Sequence, residues 1–218
     1  MFRATLAVLR TLDKNDMRLL ILGIGNLLWA DEGFGVRCVE ALHRHYEFPG
    51  DVLLMDGGTQ GVYLLPYVEE AERLLVFDAV DYGLPPGELR VVRNDDVPRF
   101  MGAKKMSLHQ TGFQEVLACA SLQDRLPVEI TLVGVQPEEL ADYGGSLRDS
   151  VKARIPQALE IALEQMRDWG IVPVPRSQPL PEGAGLNANS LDMGSYESGR
   201  PSAEAACRIG DDRFLPRD

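Results

Sequence analysis

Short apolar strand patterns alternate with helical patterns along the first 170 residues, and this alternation limits the chain to few folds. The sequence predicts five strands, at residues 18–25, 52–55, 74–77, 88–93 and 130–135. It predicts helices at residues 34–46, 63–68, 107–120 and 147–169, and a loop at 94–106. Strands that alternate with helices form a largely parallel sheet covered on both faces. We therefore expect a three-layer α/β/α domain with a mostly parallel five-stranded sheet, in which one edge strand, 88–93, could run antiparallel.

Pro156 and the two ends of the chain depart from this alternation of strands and helices. Pro156 either kinks the last predicted helix or marks its true first turn. Residues 1–16 contain a short apolar run broken by a charge and no cleavage site, so we interpret them as a disordered or alternatively started leader of a cytoplasmic protein. The domain is expected at residues 17–170. Residues 171–218 are rich in Pro, Gly and Ser without periodicity, which predicts a disordered tail.

The charge balance narrows the possible partners. The net charge of −11 argues against nucleic acid, because phosphate binding needs a basic face. It permits a basic protein or peptide partner or a metal cation, although acidity is also a common solubility trait. No apolar run approaches the roughly 18 residues that span a membrane, so no membrane insertion is expected.

A glycine turn after the first predicted strand suggests a dinucleotide-binding loop. The fingerprint places a third glycine three residues after Gly25, where the helix packs closely on the strand, and Leu28 occupies that position. Asp31 and Glu32 also stand where the next helix begins, and they would repel a pyrophosphate. Nucleotide binding is therefore disfavoured.

Two carboxylates and one imidazole stand where a parallel sheet would bring them to one edge. Glu32 follows the first strand, Asp78 ends the third, and His109 lies at the start of the helix at 107–120. Ligands bind beyond the carboxyl ends of such strands. This donor set suits a borderline divalent cation with open positions. Each residue also has a structural interpretation, as a helix-start acid, a turn acid or a surface histidine, and the residues alone leave both interpretations open.

Other hydrolytic schemes fit less well. There is no G-x-S-x-G nucleophile elbow. Asp56 and Asp78 could form a pair of the aspartic-protease type, but that requires two carboxylates in contact, which the sequence does not show.

Five sequence blocks, in order, carry a resemblance to a known family. They are GIGNLLWADEGFGVR at 23–37, DGGTQG at 56–61, FDAVDYG at 77–83, SLHQTGF at 107–113 and LVGVQPE at 132–138. Together they closely resemble the hydrogenase maturation endopeptidases, in particular those that serve membrane-bound uptake nickel–iron hydrogenases. The resemblance covers about residues 18–170 and implies a twisted five-stranded sheet between helices.

The resemblance also implies a task and a set of site residues. Such proteins remove a short C-terminal extension from the precursor of the nickel–iron hydrogenase large subunit after nickel insertion. The family's metal-contacting positions fall on Glu32, Asp78 and His109, and Glu32 and Asp78 are also catalytic candidates. We expect the nickel to arrive with the substrate, although another divalent cation could bind the protein in isolation. Grouping of the family with aspartic-type peptidases would make Asp78 a catalytic acid instead of a ligand.

The block DGGTQG supplies candidate substrate contacts. Gly57 and Gly58 would let the backbone approach a substrate strand closely, with Thr59 and Gln60 beside it, although a plain turn is the alternative. Asp31 is expected to be structural or to support a site residue without touching the metal. Another function, a non-catalytic nickel-checkpoint chaperone that binds the precursor without cutting it, stays open.

Overall fold

The computed structural model describes residues 18–101, 108–181, 184–187 and 191–200, with side chains for all of these except 99–101 and 108–111. The predicted leader lies outside the described residues. The strands are β1 (Leu19–Ile24), β2 (Tyr46–Glu47), β3 (Val52–Gly58), β4 (Arg73–Ala79), β5 (Leu89–Arg93), β6 (Glu129–Val135) and β7 (Val174–Pro175). The helices are α1 (Phe34–His45), α2 (Leu65–Glu70), α3 (Asp96–Met101), α4 (Leu108–Leu122), α5 (Asp149–Lys152), α6 (Ile155–Asp168) and α7 (Met193–Gly199). Two 3₁₀ turns, Ala30–Gly33 and Gly61–Leu64, precede α1 and α2.

The main sheet has five strands in the order β3-β1-β4-β6-β5. Four of them are parallel, and the edge strand β5 runs antiparallel to β6. Helices α2, α3 and α4 contribute to the core on one face, and α1 and α6 cover the other. The predicted α/β/α fold with one antiparallel edge strand is therefore confirmed.

The central strand β1 shows why this sequence forms a buried strand. All six of its residues are buried. Because successive side chains of a strand point to opposite faces, Leu20 and Leu22 pack on the α2–α4 face while Leu19 and Ile21 pack on the α1–α6 face. A strand covered on both faces needs a continuous apolar run, which is what the sequence has here.

Two helical predictions need correction. The predicted loop at 94–106 contains α3. The long helix predicted at 147–169 is divided into α5 and α6, and Pro156 lies in the first turn of α6. Proline is tolerated there because its missing N–H would have had no partner within the helix.

The described part of the C-terminal region differs from the predicted disorder. We call residues 171–181, 184–187 and 191–200 the C-terminal segment. Its strand β7 pairs with β2, and its helix α7 begins at Met193. The segment is held by contacts with distant positions, such as the ion pair of 2.8 Å between Arg176 Nη1 and Glu47 Oε1. Contacts of this kind leave no local periodicity in the sequence.

The structure also bears on membrane association. Among the helices of the described residues, none combines the length and the apolar composition that crossing a bilayer requires.

Candidate functional site

The 3₁₀ turn Ala30–Gly33, called here the acidic turn, carries Glu32 at the carboxyl end of β1. It leads into α1, whose Gly35 lies directly on the sheet. A Cβ atom at Gly35 would be 2.2 Å from the carbonyl oxygen of Phe77 and 2.3 Å from that of Ile24. The first turn of α1 therefore lies against both β1 and β4. The acidic turn also contacts β4, which brings the half-buried Glu32 to the strand that carries Asp78.

Asp78 is fully buried near the end of β4 and pairs with Gly134 of β6. The Tyr82 ring occupies the space above Gly134, where an added Cβ would lie 2.0 Å from the Tyr82 hydroxyl oxygen. Burial and the nearby charge of Asp78 raise the pKa of Tyr82, so its hydroxyl stays protonated at neutral pH. Tyr82 belongs to the FDAVDYG block, but its position beside Asp78 depends on the β4–β6 register, which sequence reasoning did not supply.

Asp31 has the structural role expected from the sequence. Its carboxylate is fully buried and accepts three backbone hydrogen bonds. Oδ2 accepts from Glu138 N and Glu139 N, both at 2.8 Å, and Oδ1 accepts from Arg148 N at 2.7 Å. Asp31 therefore fastens the acidic turn to residues 136–148, which we call the β6–α5 loop.

Gln136 is a second residue that sequence reasoning missed. Its Oε1 accepts hydrogen bonds from Tyr82 N at 2.7 Å and Leu84 N at 3.1 Å, and its Nε2 donates to Asp81 Oδ1 at 3.0 Å. The side chain thereby holds the chain that leaves β4 just after Asp78. The only available signal was its place in the LVGVQPE block, directly after a predicted strand.

Residues 57–60, called here the glycine loop, lie at the same edge of the sheet. Gly25 N donates a hydrogen bond of 3.1 Å to Gly58 O, which ties the loop to the end of β1. Thr59 and Gln60 are exposed, and Gln60 Nε2 donates to Asp56 O at 3.1 Å. Gly57, Gly58, Thr59 and Gln60 are therefore placed near the acidic turn, and their role as substrate contacts stays a prediction.

Helix α4 approaches this edge at a close contact between two glycines. A Cβ atom at Gly112 would be 3.3 Å from the Cα of Gly61, which follows the glycine loop. His109 lies in the first turn of α4, and its side chain is outside the described residues. Among the side chains that are described, no three of the His, Cys, Asp and Glu type are grouped to hold a metal ion. The metal-binding roles of Glu32, Asp78 and His109 stay a prediction.

The alternative pair of Asp56 and Asp78 is wrong. Asp56 pairs with Gly23 of β1, and Gly23 pairs with Phe77 of β4. Two strands separated by a third lie about 10 Å apart. Asp56 also shares the sheet face of Phe77, whereas Asp78 points to the opposite face. The two carboxylates cannot share a proton in this arrangement.

Solved structures identify the class of protein that this fold represents. The structure aligns with the hydrogenase maturating endopeptidase HybD from E. coli with a TM-score of 0.70 and 40% sequence identity, covering 74% of this chain and 99% of that chain. It also aligns with the [NiFe] hydrogenase maturation protease HybD from Thermococcus kodakarensis with a TM-score of 0.57 and 30% identity, covering 68% and 99% of the two chains. The fold is that of the α/β/α hydrogenase-maturing endopeptidases.

Sequence relatives give the family. The family model for HycI, hydrogenase maturation protease, matches residues 36–165. The hydrogenase expression/formation protein HoxM of Cupriavidus necator is 56% identical over 197 residues, which cover 90% of this chain and 98% of HoxM. The Hydrogenase 2 maturation protease of Escherichia coli is 40% identical over 161 residues, covering 73% and 97%. This chain belongs to the hydrogenase maturation protease family, which confirms the resemblance seen in the sequence.

The matches extend to different points along the chain. The family model ends at residue 165. The HoxM match leaves only a tenth of the chain uncovered, about 22 of 218 residues. This is fewer than the residues that follow position 170, so the match continues into the C-terminal segment.

Proposed function

We propose that this protein is the endopeptidase that removes the C-terminal extension of a nickel–iron hydrogenase large-subunit precursor in the cytoplasm, after nickel insertion, and that it recognises the bound nickel. Family membership supports proteolysis in hydrogenase maturation. The observation that carries the assignment is that the acidic turn, which bears Glu32, contacts β4, the strand that bears Asp78. Open α/β sheets bind their ligands at the carboxyl ends of their strands.

The donor chemistry of the site suits nickel that belongs to the substrate. Carboxylate oxygens and an imidazole nitrogen are acceptable ligands for a borderline divalent ion. Two carboxylates and one imidazole bind a metal ion more weakly than the thiolate and imidazole ligands of proteins that hold zinc permanently. The protease would therefore bind nickel that is already held by the precursor, and Glu32, Asp78 and His109 would be its contacting residues.

Hydrolysis requires a base, and the two acids are the candidates. A carboxylate takes one proton from the attacking water, whose oxygen adds to the scissile carbonyl carbon. The C–N bond then breaks, and the departing amine takes the proton back from the acid. Asp78 is buried beside a protonated tyrosine hydroxyl, and Glu32 is half-buried. In the aspartic-type form of this mechanism, Asp78 performs the proton transfer and is not a metal ligand.

A cleavage assay on the precursor subunit, with and without loaded nickel, tests the proposal. We expect wild-type protein to shorten the nickel-loaded precursor by the mass of the extension. Glu32→Gln, Asp78→Asn and His109→Ala are each expected to lower the rate by about 10²- to 10⁴-fold, the usual contribution of a positioned acid or base. His45→Ala and Asp95→Asn are matched controls, because both residues are exposed and lie outside the proposed site.

Three results would change the conclusion. Full-rate cleavage of a nickel-free precursor would overturn nickel recognition while leaving the peptidase assignment intact. Stable binding of the precursor without any change in its mass would favour the non-catalytic chaperone. Activity retained in both acid variants would move the catalytic centre elsewhere.

A further inference from the structure

Asp142, in the β6–α5 loop, joins two parts of the chain that are far apart in sequence. Its side chain is only 11% exposed and lies between two arginines. Arg148 Nη2 is 3.0 Å from Asp142 Oδ2, and Arg200 Nη2 is 3.0 Å from both carboxylate oxygens. Burial raises the pKa of Asp142, but the hydrogen bonds and the charges of the two arginines together outweigh this effect and hold the pKa below its usual value. Asp142 is therefore charged at neutral pH.

The same loop binds the acidic turn and the two residues that precede it, Leu28 and Trp29. Arg148 N donates to the buried Asp31 carboxylate at 2.7 Å. Gly144 N donates to Leu28 O at 2.7 Å, and Trp29 meets Tyr143 edge-on with ring centroids 5.2 Å apart. Arg148 thus contributes its backbone to the acidic turn and its side chain to Asp142. A change in the contacts of Asp142 is therefore transmitted to the acidic turn by Arg148.

Helix α7 brings Arg200 to this point and is itself anchored to the domain. Lys152 Nζ contacts both carboxylate oxygens of Glu197, at 2.7 and 2.9 Å, and Ser146 Oγ donates to Glu197 at 2.8 Å. The buried Arg37 of α1 lies 5.9 Å from the centre of the Tyr196 ring. These contacts fix α7 against α1, α5 and the β6–α5 loop. Arg200, at the end of α7, is held over Asp142 as a result.

We propose that Arg200 is a positioning residue: it holds Asp142 and Arg148, and through them the acidic turn, in the arrangement that presents Glu32 to the precursor. The inference rests on the proposed function where it concerns Glu32. It extends the site beyond the shared domain, since the family model ends at residue 165 while the HoxM match continues into the C-terminal segment. Helix α7 and Arg200 thus support the site from outside the shared domain in this chain.

Two measurements on full-length Arg200→Ala protein test the inference. The first is amide hydrogen exchange at Glu138, Glu139 and Arg148, whose N–H groups donate to Asp31. We expect exchange at these three amides to accelerate about tenfold, the size expected for the loss of a charge-assisted hydrogen bond. The second is precursor cleavage, where kcat should fall about tenfold with KM unchanged, because the glycine loop is not altered.

Two further variants make the test specific. Arg200→Lys keeps one charged donor and should restore part of both effects. Arg176→Ala removes another ion pair of the C-terminal segment, with Glu47, that does not involve the β6–α5 loop. It should leave both the three amides and kcat unchanged.

Unchanged exchange at the three amides in Arg200→Ala would overturn the inference. Equal effects of Arg176→Ala and Arg200→Ala would also overturn it, because Arg200 would then only stabilise the segment. If Arg200→Ala does not fold, the ranking of wild type, Arg200→Lys and Arg176→Ala decides the question in the same way. Exchange needs no substrate, so accelerated exchange together with a wild type that cuts nothing would support the positioning role and refute the proposed function.

Discussion

The two sides of the candidate site are built differently. On one side, the acidic turn is held by the buried Asp31 carboxylate and by the close contact of Gly35 with the sheet. On the other side, the glycine loop leads into Val62 and Tyr63, which are 60% and 77% exposed. The first side is held in place by buried contacts, and the second leaves apolar side chains exposed. Exposed apolar side chains grouped beside a site are typical of interaction surfaces.

The largest effect is expected where α1 lies directly on the sheet. A methyl group at Gly35 would collide with the backbone carbonyls of Phe77 and Ile24, which cannot move without shifting two central strands. Gly35→Ala should therefore lower the free energy of unfolding by about 3 kcal/mol or more. Urea denaturation measures this change. Gly50→Ala is the control, because a Cβ there has no neighbour within 4 Å. Equal urea midpoints for both variants would show that α1 does not rest on the sheet as described.

The next effect concerns Asp31. Asp31→Ala leaves three backbone N–H groups of the β6–α5 loop without their acceptor, at a cost of about 3 kcal/mol in the free energy of unfolding. Precursor cleavage should fall in parallel, because the acidic turn loses its attachment. Asp95→Ala, which alters an exposed acid before α3, should change neither quantity. If Asp31→Ala has wild-type stability, contacts other than those of Asp31 hold the acidic turn in place.

A substitution on the side of the glycine loop should affect substrate binding and leave stability almost unchanged. Tyr63→Ala should change the free energy of unfolding by less than about 0.5 kcal/mol, because the side chain is mostly exposed. If the precursor docks here, KM should rise about tenfold with kcat unchanged. Val128→Ala alters another exposed apolar residue, next to the opposite end of β6, and should leave KM as it is. A marked loss of stability in Tyr63→Ala would remove the contrast between the two sides.

The smallest effect is a pH dependence at Asp56, beneath the glycine loop. Burial raises the pKa of this carboxyl, and the charge of Glu40 adds to the effect, against opposing contributions from Asn187, Gly58 and Arg37. Its charge is therefore unfavourable to folding above the folded-state pKa, and this penalty is relieved as the pH falls through that value. Asp56→Asn should have a higher Tm than wild type at pH 7, and the difference should shrink towards pH 4. A difference that grows on acidification would contradict the assigned cause.

Much of the fold could be predicted because burial of a strand is a local signal. The run that forms β1 is apolar at every position, and the edge strand β5 combines the exposed Arg90 and Arg93 with less exposed Leu and Val positions. The pairing of β2 with β7 and the helix α7 were missed, since both depend on contacts between distant residues. The division of the last helix turned on a single residue, Pro156, which the sequence allowed in two ways.

Only the candidate site residues that lie at or near the ends of predicted strands could be found from the sequence. Glu32 lies in the turn after β1 and Asp78 lies near the end of β4, so their place at the carboxyl edge of the sheet is predictable. Tyr82 and Gln136 could not be assigned, because their places around the end of β4 require the order of the strands and the register of β4 on β6. The position of Arg200 over Asp142 depends on an entire folded segment and leaves no motif.

The order of the strands has a consequence for how the protein is made. Leu19 pairs with Val52 on one side and with Arg73 on the other, so β1 reaches its place only after β4 has been synthesised. Parallel pairing over such distances requires the closure of long loops and is slow compared with helix formation. On the ribosome, the two acids stay apart until more than a third of the chain has emerged. A nascent chain shorter than this therefore cannot bring the acidic turn onto β4.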